Sequence, residues 1–542
     1  MTVPTDASSA DQPELTPVPA LPPAIIERFG ARVLDPITAV PLPSGQAPRP
    51  TAYVGNTLLV RGLPSGRRDE TLSKINEVLK EIEVEARYDR NGDEVAEALG
   101  GGQERARDTL DEFWVTPLRV VSVDSASLAD QAPVDAWPVL QRLREAGIEA
   151  SEVGLDHLAV ACPDIGGAPY WNAVPYWNAV PYWNAVPYWN AVPYWNAVAN
   201  GGAAEYAAPG RGGRGPAALT IPDPSRGAPS VKRPPVVVTL DTGIGEHPWF
   251  ADPATATSDV AVAGVLLGLE GPMNTLAPPL QNPLDGSLPP YAGHGTFIAG
   301  MVRQQCPQAR ILGVPIMSGD GVVAESLLIN TLVALLVRQV VATSGGESDD
   351  VLDVLSLSLG YYHEAPGDAA IDPMLSGLLG AFGTWGVAVV AAAGNDSMLA
   401  PFHPAAFAGQ VVGFDDAAIP LVSVGALNPN GTAVAYFSNA GAWVSCHRLG
   451  ANVVSTLPTN LNGDKQPSAR MKYAGSERAT IDPDDFAGGF GTWSGTSFAA
   501  PLLAGQLAQH ISQASTVAAI GQAEAVRRGW DAVRHELPDF AP

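Results

Sequence analysis

PVVVTLDTGIGEHP, residues 235–248, carries no charge until Asp241 and then breaks at Thr242-Gly243. An apolar run of that kind fits a strand buried on both faces. Working outward, the same pattern returns in ARILGVPIM (309–317), VLDVLSLSLG (351–360) and VAVVAAAG (387–394). Between these runs lie ESLLINTLVALLVRQVVA (325–342) and MLSGLLGAF (374–382), which read as helices. Apolar strands separated by helices predict a parallel sheet covered on both faces, an α/β domain spanning 233–515. A last helix, roughly 517–535, falls in the C-terminal segment 516–542.

Upstream, residues 49–162 read as a smaller α+β domain of order β-α-β-β-α-β, the split βαβ arrangement. Its strands are YVGNTLLVRG, VEARYD, PLRVVSVDS and a segment within EASEVGLDHLAVA. Its helices are RDETLSKINEVLKEIE, with Leu72, Ile75, Val78, Leu79 and Ile82 at helical spacing, and VDAWPVLQRLREAG, with Gly147 as C-cap. Asp89, Asn91 and Asp93 alternate as in a calcium loop, but Glu94 stands where that loop needs glycine and Gly100 where it needs glutamate, which leaves a polar turn. Residues 1–48 are a Pro-, Ala- and Ser-rich tail predicted to be disordered. Residues 163–232 read as a flexible linker containing PYWNAV five times in tandem, 169–198, either a low-complexity spacer or an aromatic docking array.

The 31 basic and 56 acidic residues leave a net charge of −25, which disfavours binding to phosphate backbones and argues against a nucleic-acid partner. Cys162, Cys306 and Cys446 offer neither a disulfide framework nor zinc-site spacing, so no metal site is assigned. The first residues lack a basic start and an apolar segment, and the uncharged run 374–395 divides into a helix and a strand. The expectation is a protein with no membrane association, cytoplasmic, with secretion as the alternative.

The chemistry-bearing residues sit at strand ends and helix starts. Asp241 closes its strand, where open parallel sheets place reactive groups. His294 stands in GHGTFIAG, flanked by small residues. Asn395 ends VAVVAAAGN, where a side-chain amide can donate to an oxyanion or simply close a turn. Ser497 lies in GTSFAAP at the start of a helix, a place where serine also serves as an ordinary N-cap.

In the order Asp, His, Asn, Ser, and with Asp-Thr-Gly, His-Gly-Thr and Gly-Thr-Ser-x-Ala-x-Pro around them, these residues resemble the subtilisin-like serine peptidases. The related sedolisins carry Glu in place of His294 and Asp in place of Asn395. The resemblance implies a three-layer α/β fold and a serine endopeptidase. Ser497 would attack the scissile carbonyl, His294 would shuttle the proton, Asp241 would orient His294, and Asn395 with the Ser497 N–H would hold the oxyanion. It further implies that a protein or peptide substrate pairs as a β-strand with Ser358, Leu359 and Gly360 and with Ala392, Ala393 and Gly394. No cofactor is required for that chemistry. A structural calcium ion is compatible with the family, although no ligand set can be assigned. The 49–162 domain resembles the family's propeptide, able to inhibit or to target the protease. Two insertions, 251–290 and 459–490, depart from the common pattern. A latent protease that acts mainly by binding a partner is the alternative function.

Overall fold

The computed structural model describes residues 21–63, 67–88, 91–101, 103–123, 134–161, 206, 212–220, 222–269, 284–345, 348–365, 373–409, 416–514 and 520–538. The PYWNAV array, Cys162, the first twenty residues and the middle of the 251–290 insertion lie outside them.

The N-terminal part comprises α1 Pro23–Phe29, β1 Ala31–Val33, β2 Ala52–Arg61, α2 Arg67–Leu79, β3 Val84–Tyr88, α3 Asn91–Gly100, α4 Glu104–Phe113, β4 Val115–Ser122, α5 Ala136–Glu145 and β5 Val153–Ala161. The expected strands and two helices are present, and Gly147 takes the left-handed φ of 85° just beyond α5. The chain differs from expectation between β3 and β4. The stretch read as a polar turn opens α3, and α4 follows it, so two helices are inserted there. In the sheet, β5, β2, β4 and β3 lie side by side in that order, and every pairing is antiparallel. One face buries Leu58, Val60, Leu118 and Val120 against Ile75, Leu79, Trp137 and Leu140 of α2 and α5. Each fully buried aliphatic side chain of this kind contributes about 1.5–3 kcal/mol. The residues expected to form a disordered tail are partly ordered: α1 and β1 fold back on this sheet, with β1 pairing β2.

The larger part follows with β6 Gly215–Pro216, β7 Val236–Asp241, β8 Ala256–Thr257, the short hairpin β9 Ala261–Val262 and β10 Val265–Leu266, α6 His294–Gln305, β11 Arg310–Pro315, β12 Val322–Ala324, α7 Glu325–Thr343, β13 Val354–Leu357, β14 Leu359–Gly360, α8 Pro373–Thr384, β15 Ala388–Ala392, β16 Val422–Leu427, β17 Cys446–Leu449, β18 Val453–Thr456, β19 Arg470–Tyr473, β20 Ser476–Ala479, β21 Phe490–Trp493, α9 Thr496–Ala514 and α10 Gln522–Glu536. Its central sheet runs β17-β16-β15-β13-β7-β11-β8, all neighbours parallel. This is the three-layer α/β architecture expected of apolar strands alternating with helices. One core packs the sheet against α7 and α8, the other against α9 and α10. Among the described helices only α7 is long and apolar enough to cross a membrane, and here it is a core helix, 72 % buried.

The linker's C-terminal end is part of this domain rather than a free tether. β6 pairs with β21, and Arg214 donates to the carbonyls of Pro289, Pro290 and Ala292. Of the two insertions, 251–290 adds β8 to the sheet edge, and 459–490 carries the exposed β19–β20 hairpin anchored by Leu461 and Phe486.

The two parts share main-chain hydrogen bonding. The end of β5 runs antiparallel between β12 and β14: Leu158, Ala159 and Val160 face Ala324, Val323 and Val322, while Val160 and Ala161 face Gly360 and Leu359. The Ala161 N–H donates to the Gly321 carbonyl at 2.7 Å.

Candidate active site

Three carboxyl ends of neighbouring strands converge with the starts of α6 and α9. Asp241 is the last residue of β7, and its Oδ1 is fixed by the Thr242 N–H at 2.7 Å. His294 is the first residue of α6. The helix can begin there because Gly295 packs on the β7 turn: a Cβ at that position would lie 2.3 Å from the Gly243 carbonyl oxygen. The Thr242 Oγ1 accepts from the Gly295 N–H at 3.0 Å and ties the two loops together.

His294 Nδ1 lies 2.9 Å from both carboxylate oxygens of Asp241. The pair is 2 % and 1 % exposed, and the imidazole ring is boxed by Tyr291, Trp493 and Phe498 at 5.3–5.5 Å between centroids. Such an enclosure keeps water off the carboxylate and leaves the ring's other nitrogen as its working edge.

Ser497 is the second residue of α9 and is buried to 1 % exposure. Its Oγ lies 3.4 Å from the Ser358 carbonyl, and its own carbonyl accepts from Ser358 Oγ at 2.9 Å. Among the described residues no His294–Ser497 hydrogen bond is formed.

Asn395 follows β15. Its Oδ1 accepts from both the N–H and the hydroxyl of Thr496, at 2.9 and 2.8 Å. The Thr496 hydroxyl in turn accepts from the Gly394 N–H at 3.1 Å. Thr496 therefore clamps the end of β15 to the start of α9 and turns the Asn395 amide nitrogen towards Gly495. Thr496 is thus a structural partner of Asn395 that the serine motif signals only by its position between Gly495 and Ser497.

The loop beyond Asn395 is held by Asn439, whose Oδ1 accepts from the N–H groups of Asp396 and Met398 at 3.0 Å each. Burial pushes the Asp396 carboxyl up to about 6, although the Tyr362 hydroxyl donates to it at 2.7 Å. His247, packed on Trp249, Phe250 and Phe490, is pulled down to about 4 by burial and is a neutral packing residue.

Of the expected substrate-binding residues, Leu359 and Gly360 form an edge strand paired with β5, and Ser358 touches Ser497. Ala392 lies inside the central sheet beside Val424, and Ala393 donates its N–H to the Val424 carbonyl. Gly394 turns off that strand at a φ of 97°.

A second buried cluster was not read from the sequence. His157 on β5 lies 2.5 Å by Nδ1 from Glu325 Oε2, at the start of α7, and 2.8 Å by Nε2 from Glu364 Oε2, beyond β14. Burial alone would lower the His157 pKa, but the two carboxylates outweigh it and hold it well above the usual imidazole range. Beside it, Asp156 accepts from both the N–H and hydroxyl of Ser326 at 2.9 Å and caps α7.

The chain is 26 % identical over 326 residues to the serine protease AprX of Bacillus subtilis (strain 168), an overlap of 56 % of this chain and 63 % of that one. It thus spans less than two thirds of that relative's length. Among solved structures it is similar to a cold-adapted subtilisin-like serine proteinase, with 20 % identity, coverage of 55 % of this chain and 82 % of that one, and a TM-score of 0.33. It is also similar to fervidolysin from Fervidobacterium pennivorans, a keratinolytic enzyme related to subtilisin, with 15 % identity, 86 % and 56 % coverage, and a TM-score of 0.41. The family model for subtilases matches residues 233–528, more than half of the chain, and the protein belongs to the subtilase family.

Proposed function

We propose that the protein is a serine endopeptidase that hydrolyses peptide bonds through an acyl-enzyme on Ser497. The observation that carries this reading is the double contact of His294 Nδ1 with Asp241, which orients the imidazole with its other nitrogen available to a nucleophile on α9. Ser497 attacks the substrate carbonyl, His294 takes the hydroxyl proton and returns it to the leaving amine, and Asp241 stabilises the imidazolium between the two steps. The Asn395 amide and the Ser497 N–H at the α9 start receive the oxyanion.

The N-terminal domain, a ferredoxin-like module by its strand order, acts as an inhibitor in the same reading. β5 uses the main-chain groups of β12 and β14 that an extended substrate would use, and it ends beside Leu359, next to the residue whose carbonyl touches Ser497. The protein is then made latent and gains activity when that domain leaves or is cut away.

Intact mass after treatment with a fluorophosphonate tests the assignment. One adduct on the wild type and none on Ser497→Ala is expected, with labelling accelerated once limited proteolysis has severed the two domains. A folded chain that takes no adduct, even when severed, would overturn it and favour the partner-binding alternative.

A further inference from the structure

We propose that His157, His363 and Glu364 form a binding site for a divalent transition-metal ion of the zinc class, bridging the N-terminal and catalytic domains. Glu364 Oε2 lies 2.8 Å from His157 Nε2 and 3.3 Å from His363 Nδ1, and the three donor atoms all fall within 4.8 Å of one another. Bonds of about 2.0–2.1 Å in a tetrahedral site put donors roughly 3.3 Å apart, so small rotations convert this triangle into a coordination face. Two imidazoles and one carboxylate suit zinc and its neighbours, whereas calcium and magnesium prefer all-oxygen sets.

The surroundings match a metal site in three respects. Glu325 holds His157 Nδ1 at 2.5 Å and is itself held by the Tyr361 hydroxyl at 2.9 Å, which aims Nε2 at Glu364. A carboxylate on the far nitrogen of a ligating histidine is the usual way a metal-binding imidazole is oriented. His363 Nδ1 accepts from the Ala365 N–H at 3.1 Å, so it is the unprotonated nitrogen of the ring, and an ion takes that lone pair by displacing the amide. The cluster also opens on a cavity of about 210 Å³ between the domains, lined by Leu42, Trp137, Leu155 and Met374 as well as His363 and Glu364, with room for a water as fourth ligand. Arg144 lines the same cavity, but its guanidinium donates to the carbonyls of Ile148 and Val153. Binding exchanges the His157–Glu364 and Ala365–His363 hydrogen bonds for three coordinate bonds and releases the His157 Nε2 proton to solvent.

The ion joins β5 to the segment just beyond β14, its own pairing partner, and so clasps the inhibitory strand in place. That consequence rests on the latency reading above; the binding does not. The test uses the full chain with Ser497→Ala, stripped of metal and titrated with Zn²⁺ by calorimetry and with Co²⁺ by visible absorption. One ion per chain is expected, with the intense bands of four-coordinate cobalt. His157→Ala and His363→Ala each weaken binding roughly 100-fold or more, and Glu325→Gln weakens it about 10–100-fold. Circular dichroism in metal-free buffer checks that each variant folds, and His363→Ala, at the less deeply buried histidine of the cluster, keeps the test open if His157→Ala does not. Absence of a stoichiometric ion, or affinity untouched by either histidine substitution, overturns the site. Zinc should also slow fluorophosphonate labelling of the wild type but not of His363→Ala. An ion held by both histidines that leaves the labelling rate unchanged would keep the site and overturn the clasp.

Discussion

Two buried histidines in this protein are held by carboxylates, and they are built for opposite ends. His294 and His157 are 2 % and 3 % exposed. His294 meets a single carboxylate, Asp241, at one nitrogen, within one domain, and the rest of its ring faces aromatic side chains. His157 meets a carboxylate at each nitrogen, both from the other domain. One arrangement leaves the ring's second nitrogen without a carboxylate among the described residues. The other engages the whole ring and holds two domains together. The chemistry of a buried histidine is thus decided by how many of its nitrogens are already engaged.

Asp241→Asn breaks the first arrangement most severely: peptidase activity should fall on the order of 10⁴-fold with the fold retained, because the wrong imidazole tautomer faces the serine. Steady-state kinetics on a chromogenic peptide after removal of the N-terminal domain would measure it. His157→Ala breaks the second. It strands Glu325 and Glu364 in the interface, at a cost of about 3–5 kcal/mol, seen as weakened docking of the N-terminal domain in metal-free buffer. Adding Glu325→Gln and Glu364→Gln should recover part of that loss, since the penalty lies in the unpaired charges.

Asn395→Ala should lower kcat by roughly 10²–10³ with little change in KM, the scale already known for one such donor in a subtilase. A smaller effect is expected at Asp396, buried without a cationic partner among the described residues. Its folded pKa of about 6 lies above the unfolded value, so the folded state favours the protonated form. Its contribution is therefore fully present below about pH 4, is lost as pH rises through 6, and remains a penalty of up to about 3 kcal/mol above that. Asp396→Asn should raise the melting temperature at pH 8 and change it little at pH 4.

The parallel sheet was legible because β7, β11, β13 and β15 are apolar runs that only a doubly covered sheet accommodates. Asp241, His294, Asn395 and Ser497 were legible because each sits in a motif whose small neighbours the local geometry requires, as Gly295 shows against Gly243. The helices α3 and α4 were hidden by their short, charged sequences, where alternating acidic residues resemble a turn. The His157 cluster had no sequence signal at all. Its members lie up to 207 positions apart and meet only when two domains dock. Local spacing cannot report a contact of that kind, which depends on tertiary register between β5, β12 and β14.

The main-chain character of that register bears on which substitutions the docking tolerates. Backbone donors and acceptors along Leu158–Ala161 are the same whatever side chains the strand carries. A side-chain substitution along this strand therefore leaves its pairing with β12 and β14 in place unless it is a proline, which removes a donor.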